Sequence, residues 1–131
     1  MGSMDGRTVV ITGGNAGIGK ETAVALAADG ARVIFTSRDA GRGAAALAEI
    51  TERSGSSRVE VMALDLSSLA SVRTFSDQVL GATERIDVLI NNAGLILDQR
   101  TETEDGFEMT FGVNHLGHFL LTDLLRDRLL A

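Results

Sequence analysis

The chain contains no cysteine, proline, tyrosine or tryptophan, and Lys20 is its single lysine. Without cysteine there is no disulfide, no thiolate metal site and no thiol nucleophile, which fits a reducing compartment and makes the cytoplasm the default expectation. Without tyrosine, no chemistry that needs a phenol can run on this chain alone. No apolar run approaches the roughly 18 residues of a membrane-spanning helix. The start Met1-Gly2-Ser3-Met4 has neither a basic region nor an apolar stretch, so neither a membrane span nor a secretory signal is expected. Gly2-Ser3 before a second methionine looks like an expression scar, with the natural start at Met4, and residues 1–3 are set aside. A net charge of −6, with no cluster of Lys and Arg, argues against a nucleic-acid surface.

What is present is 131 residues, 44% of them hydrophobic, enough for one compact domain over 4–131 and too little for two. Val9-Val10-Ile11 is a β-branched run suited to a strand buried on both faces. A helix follows with Ile18, Thr22, Ala25 and Leu26 on its inward face, closing at Asp29-Gly30. Ala31–Ser37 is predicted as a second strand, and Asp39 is placed to cap a helix over Ala40–Arg53 that stops at Ser54-Gly55. Val59–Leu64 is a third strand, Leu69, Val72, Phe75 and Val79 mark the inner face of a third helix, and Asp87–Asn91 forms a fourth strand. Strands alternating with helices imply right-handed crossovers and a parallel α/β sheet covered on both sides.

The remainder differs. After the polar stretch Asp98–Glu104, the pattern is helical from Gly106 to Leu130, and between Val113 and Leu125 it is apolar nearly all the way round, as in a helix buried among several neighbours. No cap follows Leu129-Leu130-Ala131, so the fold is expected to be cut short after the fourth strand and this long helix.

The first strand and helix are joined by Thr12-Gly13-Gly14-Asn15-Ala16-Gly17-Ile18-Gly19. In that context glycines carry meaning. Gly13 permits a tight turn, Gly17 lets a pyrophosphate approach the backbone, and Gly19 lets helix and strand pack closely. The free N–H groups and positive dipole end of the helix then face an anion, with Asn15 and Ile18 completing the cradle. The bland alternative is a turn that merely needs glycine.

The spacing G-x-x-x-G-x-G resembles that of the short-chain dehydrogenase/reductase family. Asp65-Leu66 after the third strand, Asn91-Asn92-Ala93-Gly94 after the fourth and Asn114 in the long helix match the family in order. The resemblance runs from Arg7 to Leu130, and Val113-Asn114-His115-Leu116-Gly117-His118-Phe119 is most similar to the retinol-dehydrogenase-like branch. It implies a Rossmann-type doubly wound sheet of strand order 3-2-1-4 that binds a nicotinamide dinucleotide. Asp65 would accept from the adenine amino group, with Leu66 beside it, and the backbone after Asn91, through Ala93 and Gly94, would line the adenosine ribose. Asp65 could instead cap the helix that starts near Ser67, and Asn91 could be mainly structural.

A carboxylate about 20 residues past the glycine loop would grip the ribose 2′-hydroxyl of NAD. Ser37 and Arg38 stand there instead, and a guanidinium matches a 2′-phosphate, so the pair favours NADP over NAD. Asp39 is the counterweight, because it could pair with Arg38 or cap the next helix. Lys20 and Arg42 could add positive potential or be solvated surface residues.

Hydride transfer in the resembling family uses an asparagine, a serine, a tyrosine and a lysine, and of these only Asn114 is matched here. His115 and His118 sit three residues apart, a spacing that can bind metal, yet no carboxylate or thiolate completes a ligand set, so packed or surface histidines are expected and no metal site. The resemblance therefore implies the cofactor-binding part of an NADP-dependent oxidoreductase acting on a small or lipophilic carbonyl or alcohol, inactive alone. A non-catalytic, self-associating module is the alternative. An open fourth-strand edge and the apolar helix invite a homo-oligomer.

Overall fold

The computed structural model describes residues 2–131, so Met1 of the leading tripeptide lies outside the described residues. Four strands, β1 (Thr8–Ile11), β2 (Arg32–Ser37), β3 (Val59–Ala63) and β4 (Val88–Ile90), form one parallel sheet of order β3-β2-β1-β4. They are connected by α1 (Gly17–Ala28), α2 (Ala40–Ser54) and α3 (Leu69–Ala82). After β4 come a single turn, α4 (Met109–Phe111), a π-helical turn at Gly112–Gly117, and α5 (His118–Leu130). The expected sheet, strand order and fold class are all observed.

The period of two along the strands sorts the apolar residues into two clusters, one on each face. Val10 and Ile34 pack with Val72, Phe75 and Val79 of α3 and with Leu121 and Leu125 of α5. Val9, Ile11, Val33 and Phe35 pack with Ala23 and Ala27 of α1 and with Ala46 and Ile50 of α2. Each fully buried Val, Ile or Phe contributes about 1.5–3 kcal/mol relative to exposure, so helices on both faces of the sheet are required rather than incidental. The register Val9↔Val33, Val10↔Ile34 and Ile11↔Phe35 keeps the two sets aligned.

Two helical expectations need correction. On α1 the buried residues are Gly19, Ala23 and Ala27; of the expected set Leu26 packs half-buried against the core and Thr22 is half-buried, whereas Ala25 is exposed and Ile18 is 80% exposed. Small residues face the sheet because the glycine loop brings α1 down close to it; a branched side chain on that face would hold it off. The long helix begins at Met109 rather than Gly106. Residues before it fold back on themselves, with the Thr103 amide donating to the Phe107 carbonyl and the Met109 amide to that of Thr101. The Glu108 carboxylate then caps the helix by accepting from the Thr110 and Phe111 amides, which holds its carboxyl below the usual range.

Nor is that helix buried all round. Val113, Gly117, His118, Leu121 and Leu125 face inward, whereas Phe111 is 52% and Phe119 67% exposed. Strand ends are trimmed: β2 begins at Arg32, β3 ends at Ala63, and β4 is only Val88–Ile90. Asp39 caps α2 by accepting from the Arg42 amide at 2.8 Å, as expected, and Gly55 closes it in the left-handed region.

The chain steps from β1 out to β2 and β3, then returns to place β4 on the other side of β1. At that reversal the loops leaving β1 and β4 part in opposite directions. They open a crevice at the carboxyl ends of the strands.

Candidate functional site

A cleft of about 450 Å³ lies in this crevice, walled by the end of β2 and by the segments that follow each of the four strands. Gly13, Asn15 and Gly17 come from the loop after β1, Ser37 and Arg38 from the end of β2, Asp65 and Leu66 from beyond β3, and Ala93 and Gly94 from beyond β4. These are nine of the sequence-derived candidates, brought together from four separate segments.

The glycine loop is held open by specific contacts. Gly17 adopts φ +58° with open space where a side chain would stand, so its backbone faces the cleft at the start of α1. A Cβ on Gly19 would lie 2.5 Å from the Gly13 carbonyl oxygen, so this position secures the close approach of α1 to the loop and takes no direct part in the cleft. Thr36 anchors the other side, accepting from the Gly13 amide at 3.0 Å through Oγ1 and from the Gly14 amide through its carbonyl. The Asn92 amide donates from Nδ2 to the Thr12 and Gly13 carbonyls at 3.1 and 3.3 Å. With its carbonyls so engaged, the loop brings the positive end of α1, at Gly17, to the cleft wall, an arrangement suited to an anion.

Asp65 does not cap α3; Ser68 does, accepting from the Ser71 amide. Oδ1 of Asp65 instead accepts from the amide and hydroxyl of Ser67, at 2.9 and 2.6 Å. Among the described residues its Oδ2 accepts no hydrogen bond, and Asp65 lines the cleft. Leu66 is buried and seals the floor.

At the end of β2, Asp39 is occupied by the α2 cap, and its carbonyl accepts from the Ser37 hydroxyl at 2.8 Å. The alternative Asp39–Arg38 pair is not formed, and among the described residues neither Arg38 nor Arg42 makes a salt bridge. Both line a second hollow with Asn15, Ser37 and Asp39, and Asn15, Ser37 and Arg38 line the cleft as well. Lys20 is engaged with Glu49 at 3.2 Å.

Besides Gly19, three candidates stand outside the cleft. Ile18 projects to solvent. Asn91 donates to the Thr122 hydroxyl at 3.1 Å and lines a separate recess with Asn114, His115 and His118. Asn114, in the π-helical turn, uses its whole amide on one residue: Oδ1 accepts from the Leu95 amide at 2.9 Å and Nδ2 donates to the Leu95 carbonyl at 2.8 Å. Through Leu95, which lines the cleft, it fixes the segment after β4.

Thr12, Thr36, Asn92 and His118 were not singled out as site residues by the sequence. The available signal for the threonines is their position, each a hydroxyl at the carboxyl end of an apolar strand. The His118 ring, 6% exposed, lies 2.8 Å from the Thr12 hydroxyl, and its burial lowers its pKa more than the nearby Asn114 carbonyl raises it.

Known proteins are similar to this chain over nearly its whole length. The family model for short chain dehydrogenase matches residues 7–131. Human retinol dehydrogenase 13 is 49% identical over 129 residues, covering 98% of this chain and 39% of that protein. The crystal structure of an uncharacterized protein from Mycobacterium paratuberculosis superposes with a TM-score of 0.84 at 48% identity, covering 98% of this chain and 44% of that one. A metagenomic short-chain oxidoreductase solved in complex with NADP gives a TM-score of 0.82 at 33% identity, with 96% of this chain and 57% of that one covered. The chain thus spans well under two thirds of the length of the relatives it matches. With the family model matched over residues 7–131, nearly the whole chain, this chain belongs to the short-chain dehydrogenase family.

Proposed function

We propose that this chain is the cofactor-binding part of an oxidoreductase that prefers NADP over NAD and transfers hydride between the cofactor and a carbonyl or alcohol. The observation that carries the preference is Arg38, which lines the cleft, makes no salt bridge among the described residues, and stands beside Ser37 where an NAD-binding site would hold an acid. In this reading Gly17 and the first turn of α1 hold the pyrophosphate, and Arg38 takes the 2′-phosphate with bidentate geometry. Oδ2 of Asp65 accepts from the adenine, and the backbone at Ala93 and Gly94 lines the adenosine ribose. The fit is supported by the open space over Gly17 and by the acceptor that Asp65 leaves unused.

The bound nicotinamide would supply hydride transfer. This chain's part is to bind and orient it: the Asn114 clamp on Leu95 sets the wall after β4. The chain has no tyrosine to move the accompanying proton, so it binds cofactor and turns nothing over by itself. The retinol dehydrogenase relative suggests a lipophilic substrate for a complete enzyme. Because the chain has no Trp or Tyr, the emission of the reduced cofactor can be followed without interference from theirs. Titrations with NADPH and NADH should give tighter binding of NADPH; equal affinities would refute the preference, and no binding of either would refute the cofactor reading. Oxidation of NADPH by the 131-residue protein with a panel of aldehydes and ketones would refute the inactivity.

A second reading, self-association, is favoured by the exposed aromatic stripe on the long helix. Phe111 stacks on His115 at 5.1 Å, and Phe119 follows at 6.2 Å. The two readings are compatible.

A further inference from the structure

The hydrogen-bond count around Thr12 fixes the state of a histidine on the far side of the sheet end. A threonine hydroxyl has one proton and two acceptor positions. Both acceptor positions are taken: the Asn92 amide donates to Thr12 Oγ1 at 3.0 Å and the Ala93 amide at 3.1 Å. The remaining contact, 2.8 Å to His118 Nε2, must therefore use the hydroxyl's own proton, with the bare ring nitrogen accepting. The ring proton then sits on Nδ1, which faces the Asn114 carbonyl at 3.3 Å. Protonating Nε2 would set an N–H against an oxygen with no free lone pair.

Among the described residues no charged side chain hydrogen-bonds to the ring. The recess beside it is lined by Asn91, Asn114, His115, Phe119 and Thr122, of which His115 alone is titratable. The strand side offers Thr12, Asn92 and Ala93.

We infer that His118 is a positioning residue: as a neutral imidazole with its proton on Nδ1, it sets the spacing between the turn at Gly13 and the π-helical turn that carries Asn114. The ring bridges two segments that each hold the loop after β4 by hydrogen bonds. Thr12 holds Asn92 and Ala93 from one side, and Asn114 holds Leu95 from the other. Its position therefore decides whether the wall formed by Ala93, Gly94 and Leu95 is presented to the cleft in one geometry. The effect on affinity rests on the proposed cofactor reading, whereas the clamp itself is measurable without any ligand.

The test is NMR on the 131-residue protein, unmodified and as His118→Phe and His118→Gln, followed by NADPH titration at one neutral pH. The long-range ring spectrum of the unmodified protein should show a protonated Nδ1 and a bare Nε2. The amide signals of Ala93 and Leu95 should move in His118→Phe and return toward their original positions in His118→Gln, whose side-chain oxygen can again accept from Thr12. NADPH affinity should fall roughly tenfold in the Phe variant, the scale of one lost buried hydrogen bond, and be partly restored by Gln. A ring protonated on Nε2, or charged at neutral pH, overturns the inference. So do Phe-variant amides at Ala93 and Leu95 identical to the original. The tautomer is read on the unmodified protein, so a variant that fails to fold leaves that decision intact. Absence of NADPH binding throughout would sink the cofactor reading alone.

Discussion

Arg38 and Asp39 are neighbours whose roles the fold separates. The Asp39 carboxylate is held by the Arg42 amide at the start of α2, and the guanidinium beside it is left for the cleft. Replacing Arg38 with Leu should weaken NADPH binding by roughly 10- to 100-fold, the worth of a charge-assisted pair, while changing NADH binding little; parallel loss for both cofactors would show that Arg38 does not read the 2′-phosphate. His118 makes the second residue-scale prediction. Burial lowers its pKa from 6.5, so as pH falls below that value the unfolded chain takes up a proton before the folded one. Stability is therefore full above 6.5 and declines as pH drops through that value toward the lowered folded one. Urea midpoints should fall across this window, and the fall should shrink in His118→Gln. The carboxyls of Asp87 and Glu108 are lowered from 3.8 and 4.5, so their losses come at more acidic pH.

At the scale of elements, α1 shows how a helix can be found correctly and faced wrongly. Its spacing and its close at Gly30 were legible, but the pattern put Ile18 inward because apolar residues are usually buried. The close approach of α1 to the sheet rewards small side chains instead, and Ala23 is fully buried. Ala23→Leu should destabilise by about 1–3 kcal/mol through overpacking, and Ile18→Ser by less than about 0.5 kcal/mol; denaturant unfolding of the two variants would show the reverse ranking if the original facing were right. The long helix differs for a related reason. A nearly continuous apolar stretch does not reveal that one face meets the sheet while the other presents Phe111 and Phe119 to solvent. Nor does it reveal the π-helical turn that brings Asn114 opposite Leu95, since the hydrogen bonds that stabilise it come from a loop nineteen positions earlier in the chain.

For the molecule as a whole, the sheet ends in β4, an edge of three residues, and the aromatic face of the long helix stands exposed. Unpaired strand edges and clustered exposed aromatics both favour association. Light scattering at rising concentration should show a mass above the 13.8 kDa of one chain. Phe119→Glu should return it toward the monomer; a clean monomer of the unmodified chain at every concentration would refute self-association.

The sequence by itself determined the alternation of strands and helices, the parallel sheet and the loop at Gly13–Gly19, because those depend on local signals: runs of β-branched residues, capping residues, and glycines between a strand and a helix, whereas the strand order followed from the family resemblance. It also placed Ser37, Arg38, Asp65, Ala93 and Gly94 at strand ends, and the parallel topology carries every strand end to one edge. Tertiary structure decided what distance along the chain conceals. Asn91 turns to Thr122 and away from the cleft, Asn92 ties the glycine loop, and Thr12 meets a histidine 106 positions later. Such contacts follow from which strands become neighbours and how deep each helix sits, and no local pattern records either.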